Sequence, residues 1–377
     1  MAATTAAMIE QFNKDNILIL EEMGYEVHVL GNFYKGNPIS EERLENFKIW
    51  IKEHHGKWFH YPAARKPTDL KNNIKAYKYL LKLISKYQYE FIHCHTPIGS
   101  VIARLAAHKM HTKVIYTAHG FHFFKGAPLK NWLLYYPVER LLSRWTDVLI
   151  LINQEDYQRS EKEFHAKQTE YIPGVGIIYG KFAFCQVDLY KKKQEIGIKK
   201  DDFVIISVGE INDNKNHQII IKAIAKLKDK SIKYIICGKG ELEEKLKKII
   251  KKFRLDNQIL LLGYREDIPE LLSISELFAF PSKREGLGLA AIEAMASGQT
   301  LITSNVHGIN DYSENDVTGY KYAPDDYRGF AEGIKMIMTN NEKRKMWAEN
   351  NRLIAKKYDV KEIRHEMKRI YQEIKKQ

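Results

Sequence analysis

A chain of 377 residues exceeds what one compact core usually spans, so two domains are expected, and an apolar fraction of 44% marks a core-forming protein rather than a disordered one. The net charge of +13 fits lysine-rich solvated helix faces or an anionic membrane surface, and the basic residues do not gather into the aromatic-interleaved segment of a nucleic-acid binder. No apolar run approaches the roughly 18 residues of a membrane span, and the first eight residues lack the basic and apolar parts of a signal peptide. Cys94, Cys185 and Cys237 stand far apart without metal or disulfide spacing, as suits a reducing cytosol.

Along the chain, strand and helix patterns alternate. A helical pattern begins at once (Met8, Ile9, Phe12, Ile17, Leu20), and Tyr25 to Leu30 reads as a strand ending at Gly31. Lys71 to Lys86 has apolar residues at helical spacing, Phe91 to Cys94 is a strand, and Pro97 to Lys109 a helix with proline in its first turn. Lys113 to Thr117 and Asp147 to Ile152 are further strands, and Pro173-Gly-Val-Gly176 interrupts the pattern. After a lysine-rich stretch a second series begins, with strands at Phe203 to Val208, Lys233 to Cys237, Ile259 to Leu262, Leu277 to Phe280 and Thr300 to Thr303. The intervening helices are Asn214 to Leu227, Glu241 to Phe253 and Leu287 to Ala296, and helices dominate from Asp326 onward. This alternation predicts two doubly wound α/β domains with parallel sheets. They span residues 1–175 and 176–352, and a terminal helix (353–377) packs back on the first domain. Ligands of such sheets bind beyond the carboxyl ends of the strands, so two facing sheets enclose a cleft.

The chemistry centres on Ser282-Lys-Arg-Glu285-Gly-Leu-Gly288, which follows a strand and precedes a helix. Glycines let a ligand approach the backbone, and the free amides of a helix start favour phosphate. Glu285 before the helix and Glu293 about two turns into it are carboxylates suited to sugar or ribose hydroxyls. On spacing alone an ordinary helix start with solvent-facing acids is the better account. His93 and His95 share a strand face, a pattern open to zinc, yet no third and fourth ligand stand at metal spacing.

Residues 284–298, Arg-Glu-Gly-Leu-Gly-Leu-Ala-Ala-Ile-Glu-Ala-Met-Ala-Ser-Gly, resemble the donor-site signature of glycosyltransferase family 4, retaining enzymes of GT-B architecture. Ser207-Val-Gly-Glu-Ile-Asn-Asp-Asn-Lys-Asn-His217, Gly238-Lys-Gly240 and Leu262-Gly-Tyr-Arg-Glu-Asp-Ile268 resemble further parts of that donor site. Thr117-Ala-His-Gly-Phe-His-Phe-Phe-Lys-Gly-Ala-Pro128 and Tyr171-Ile-Pro-Gly-Val-Gly176 look like a bacterial branch that builds exopolysaccharide or capsule repeat units. The likeness runs from about residue 8 to 370. It implies that Glu285 holds hydroxyls of the transferred sugar and Glu293 those of the ribose. Gly286, Leu287 and Gly288 present amides to the diphosphate or sugar, and Lys215 neutralises the departing diphosphate. Gly209, Glu210 and Gly238 frame the phosphate turns, and Tyr264 and Arg265 border the base. In the first domain His119 lies near the reacting sugar, with His95 and His122 as weaker acceptor-side candidates. The resemblance further implies retention of anomeric configuration, a UDP-sugar donor, an undecaprenyl-diphosphate-linked saccharide acceptor, no metal or other cofactor, and a peripheral place on the inner face of the plasma membrane.

Two departures stand out. Many family members carry arginine where this chain has Glu210, so a second cation on the diphosphate has to come from elsewhere, with Lys239 and Arg284 as candidates. The fold normally opens with an apolar strand, but residues 1–8 are rich in alanine and threonine. The opening strand is therefore expected to be missing or a stub, with the true start upstream. The alternatives are a non-catalytic sugar-nucleotide-binding partner of a glycosyltransferase and a sugar-nucleotide epimerase. The missing Gly-x-Gly-x-x-Gly after the first strand argues against a nicotinamide oxidoreductase.

Overall fold

The computed structural model describes residues 1–34 and 36–376. It divides into two compact units, residues 1–175 with 361–377, and residues 176–360. In chain order the first unit comprises β1 (Ala2–Thr5), α1 (Ala6–Phe12), α2 (Lys14–Glu22), β2 (His28–Asn32), α3 (Glu41–Glu53), β3 (Lys57–His60), α4 (Leu70–Tyr87), β4 (Phe91–His95) and α5 (Pro97–Met110). It continues with β5 (Lys113–Ala118), α6 (Leu129–Ser143), β6 (Val148–Leu151), α7 (Gln154–Glu163) and β7 (Gln168–Tyr171). Among the described residues these strands form one parallel sheet in the order β3-β2-β1-β4-β5-β6-β7.

The opening strand is therefore present, contrary to the sequence expectation, and it is central. Ala2 pairs with Leu30 on one side and Cys94 on the other, and the Thr4 amide donates to Thr96 Oγ1 at 3.1 Å. Its residues are all buried but small. An Ala/Thr strand has none of the branched apolar run by which a buried strand announces itself, and its neighbours supply the pairing. The expected N-terminal helix breaks in two at Asn13, whose backbone leaves helical geometry (φ −133°).

The sheet's two faces carry separate cores. One holds Ile9, Ile17, Val29, Phe47 and Ile115. The other holds Leu80, Ile84, Ile102, Ala106 and Tyr116, beneath α4, α5 and α6. The helix α16 (Val360–Lys376) completes the first face with Ile363, Met367, Ile370, Tyr371 and Ile374. Those positions recur at helical spacing and form one buried stripe. Arg364 ties the helix to Asp15 at 3.0 Å and Glu22 at 2.7 Å. Residues 353–360, expected with this helix, belong to the second unit.

That unit comprises α8 (Tyr179–Ala183), α9 (Leu189–Glu195), β8 (Phe203–Val208), α10 (Gln218–Leu227), β9 (Ile232–Cys237), α11 (Glu243–Lys252), β10 (Ile259–Gly263), α12 (Ile268–Ser273), β11 (Leu277–Phe280) and α13 (Leu289–Ala296). It closes with β12 (Thr300–Ser304), β13 (Gly319–Tyr322), α14 (Tyr327–Thr339) and α15 (Asn341–Ala355). Its strands are parallel in the order β10-β9-β8-β11-β12-β13. Strand order reverses between β8 and β11, and the crevice at the carboxyl ends of such a pair is where doubly wound sheets take ligands. The loops there are residues 209–217 and 281–288. Residues 214–217, expected in a helix, are loop, because Asn216 adopts positive φ (55°) and α10 starts only at Gln218.

Candidate functional site

At the carboxyl end of β8, Lys215 and Glu285 meet across the two loops, Nζ to Oε1 at 2.6 Å. The ammonium also lies 4.7 Å from the centroid of the Phe280 ring. Both side chains are largely buried, which raises the strength of the pair over a surface one. The loops are tied by backbone as well: the Lys283 amide donates to Asn214 O at 2.8 Å, and Asn214 Nδ2 donates to Arg284 O at 2.9 Å. Asn216 Nδ2 donates to the Pro281 and Pro324 carbonyls at 3.1 and 2.8 Å. Removing the Asn216 side chain would take this donor from the buried Pro281 carbonyl contact, at a cost of about 1–3 kcal/mol.

Glycines set the floor. A Cβ on Gly238 would stand 1.9 Å from the Gly209 carbonyl oxygen, so the turns after β8 and β9 close on one another. Gly288 has φ +93°, and a Cβ there would meet Phe280 Cε1 at 2.6 Å. The turn Gly286-Leu287-Gly288 therefore lies against the β11 terminus with Leu287 buried as its anchor, and α13 follows from Leu289 rather than Leu287. Glu293 sits on α13, and burial pushes its carboxyl up to about 7, with Lys181 opposing weakly.

The other donor-side candidates divide. Gly209 lies against the Lys215 side chain. Glu210 is exposed and accepts from Asn212 Nδ2 at 2.9 Å, while Asn212 Oδ1 accepts from the Lys215 amide. Tyr264 is exposed just beyond β10, whose Gly263 carbonyl accepts from the Gly238 amide at 2.7 Å. Arg265 donates to two carboxylates, Asp267 at 2.7 Å and Glu195 at 3.2 Å.

The first unit assembles histidines. His119 follows β5, and its Nε2 lies 3.2 Å from His95 Nδ1 at the end of β4. Burial lowers the His119 pKa to about 4 and holds His95 well below the ordinary value, so both rings are neutral hydrogen-bonding groups near pH 7. His93 engages both ring nitrogens at 2.8 Å, with Tyr371 Oη and Thr117 Oγ1. Both ring nitrogens of His93 are thus engaged within the first unit, while His95 Nε2 is buried without a hydrogen-bond partner. The His122 ring stacks on Tyr135 with centroids 4.6 Å apart. The loop after His119 is anchored by α7, whose Asp156 accepts from the Phe121 amide at 2.8 Å and Glu155 from the Lys125 amide at 2.6 Å.

Sequence reasoning missed the structural roles of Asn214 and Asn216, and it missed Tyr312. The Tyr312 hydroxyl is buried beside Gly288 without a hydrogen-bond partner. Burial first, and then the Glu285 charge, raise its pKa. The asparagines were legible as a cluster around Lys215, but no local signal links Tyr312 to the glycine turn.

The family "Glycosyl transferases group 1" matches residues 190–354, and "Glycosyltransferase Family 4" matches residues 17–174. EpsD of Bacillus subtilis (strain 168), which carries a glycosyltransferase name, is 35% identical over 358 residues, covering 93% of this chain and 90% of EpsD. The UDP-Gal:alpha-D-GlcNAc-diphosphoundecaprenol alpha-1,3-galactosyltransferase of Escherichia coli is 29% identical over 287 residues, 74% of each chain. Among solved structures, Anabaena HepE in complex with UDP superposes with a TM-score of 0.78 at 19% identity, covering 98% of both chains, which is a likeness of fold.

Proposed function

Since the chain belongs to the family 4 glycosyltransferases of the GT-B kind, we propose that it moves a hexose-type sugar, with retention, from a UDP-sugar to a lipid-diphosphate-linked saccharide in cell-surface polysaccharide assembly. The observation that carries this is the Lys215–Glu285 pair at the glycine turn preceding α13, with Glu293 behind it. A nucleoside diphosphate gains negative charge as it leaves. A cation already fixed at that point needs no reorganisation to stabilise it. Lys215 and the amides of residues 286–288 take the part a divalent cation plays elsewhere, so transfer proceeds without metal. Glu285 accepts from the sugar hydroxyls and Glu293 from the ribose.

Neutral His119 donates or accepts a hydrogen bond at the reacting sugar or acceptor, with His95 fixing its ring. The acceptor class is supported by the E. coli relative, whose name specifies a diphosphoundecaprenol-linked sugar. Among the described residues no helix is long and apolar enough to cross a membrane, and we place the protein peripherally on the inner membrane face, where such acceptors are built.

The test is acceptor-dependent release of UDP from a panel of UDP-sugars with a short-chain lipid-diphosphate saccharide, with the anomeric configuration of fresh product read by NMR. Inversion would overturn the retaining mechanism. Thermal stabilisation by UDP without acceptor-dependent release would mark the chain as a nucleotide-binding partner instead.

A further inference from the structure

The helix α6 exposes half of its circumference. Pro137 and the side chains Leu129, Leu133, Leu134, Val138 and Leu141 face solvent together with Lys130, Arg140 and Arg144, and no acid lies among them. Leu129 and Leu133 are each 72% exposed, more than any packing surface leaves an aliphatic residue. Single exposed leucines are ordinary, but a contiguous aliphatic face about four turns long is not. The helix cannot roll these residues inward, because its other half is pinned. Glu139 is buried in an ion pair with Arg104 at 2.8 Å, Leu142 and Ser143 are buried, and Trp132, Tyr135 and Tyr136 pack on the core under α4 and α5.

Charge gathers on the same layer. Residues 65–144 carry fourteen Lys and Arg against three Asp and Glu, which is +11 of the chain's +13. One of the three acids, Glu139, is buried in a pair with Arg104, so the surplus outside that pair is still +11. On α4 the residues Lys71, Lys75, Lys78, Lys82 and Lys86 are all exposed, and spacings of three and four put them on one stripe. The helices α4, α5 and α6 share one core beneath them. Leu129 begins ten residues after His119, so the apolar face follows directly on the loop leaving the carboxyl end of β5.

We propose that the outer face of α4 and α6 docks on an anionic phospholipid bilayer, with the α6 aliphatic face entering the headgroup–acyl boundary and the α4 lysines held over the lipid phosphates. An interfacial helix needs both an apolar half and a basic flank, and this layer supplies both. Nucleic acid would satisfy the lysines and leave the aliphatic face in water. The proposal deepens the peripheral placement given above and rests on it, by naming the surface and the lipid charge it requires.

The experiment is flotation of the full chain with vesicles of phosphatidylcholine alone, or with about one third phosphatidylglycerol, at ~0.05 and ~0.5 M salt. The wild type is expected to float with the anionic vesicles and to lose most binding at high salt. Leu133→Asp/Leu134→Asp and Lys71→Glu/Lys75→Glu/Lys78→Glu/Lys82→Glu alter exposed positions, so both should melt like the wild type. Each should bind anionic vesicles at least about tenfold more weakly, while releasing UDP normally with a water-soluble short-chain acceptor. A wild type that ignores anionic vesicles, or folded variants that bind as it does, would overturn the docking face. So would a concentration-dependent dimer dissolved by Leu133→Asp/Leu134→Asp, which would make the face a protein interface. Failure of the wild type on the soluble acceptor would instead strike the transferase assignment and leave vesicle binding as a separate result.

Discussion

The two units are built to one plan, a parallel sheet wound outward from a central strand, yet their carboxyl edges carry opposite chemistry. The second unit presents an ion pair, glycine turns that open the backbone and a carboxyl raised by burial. The first presents two neutral histidines in contact. Shared topology decides where a ligand sits, while the side chains at that point decide whether it is a polyanion or a neutral hydroxyl.

The deepest break in this comparison is Lys215→Gln. If Lys215 meets the departing diphosphate, turnover should fall about 10²–10³-fold, as when one preorganised charge-stabilising group is lost. Steady-state UDP release measures it, with circular dichroism to verify the fold, and wild-type turnover would remove Lys215 from the donor site. Glu293→Gln should raise the donor KM about 10- to 100-fold, because a carboxyl oxygen that accepts from the ribose hydroxyls is exchanged for an amide NH2 that can only donate. His119→Ala should cost about tenfold in turnover, one neutral hydrogen bond, while thermal stabilisation by UDP stays as in the wild type. If His119→Ala weakened UDP binding as strongly as Glu293→Gln, the division of labour between the units would be wrong.

Proton linkage sharpens the contrast further. A histidine whose folded pKa is depressed contributes stability above its ordinary value near 6.5 and loses it as pH falls. His93, His95 and His119 all pull the first unit in that direction. Glu293 acts oppositely: its stabilising preference for the protonated form is complete below 4.5 and lost as pH rises through about 7. The second unit also contains His217, lowered to about 4 by burial, which opposes Glu293. Hydrogen exchange from pH 7 to 5 should therefore show β4 and β5 losing protection before β8 and β11. Against Glu293→Gln, the wild type should lose up to about 3 kcal/mol between pH 4.5 and 7 in chemical denaturation. Parallel curves for the two proteins would show that the carboxyl is not desolvated. The smallest effect is expected from Tyr312→Phe, about threefold in donor affinity, if its unpartnered hydroxyl reaches the bound nucleotide-sugar.

The alternation of strand and helix, the glycine turn between Glu285 and Glu293, and the lysine in the 209–217 loop are local patterns, and the sequence by itself determined the two-sheet plan and the donor motif from them. The charge was also visible there, though only as a total of +13. Tertiary structure alone decided what meets across distance. Lys215 and Glu285 stand 70 residues apart, His95 and His119 24 apart. The terminal helix joins the first sheet through Tyr371 and His93, 278 residues away. The central strand β1 escaped notice because Ala and Thr make no apolar run, and its place comes from the backbone groups of β2 and β4 that would otherwise go unpaired. The outward aliphatic face of α6 was equally hidden, since periodicity names the residues of a face and only packing decides which face is buried.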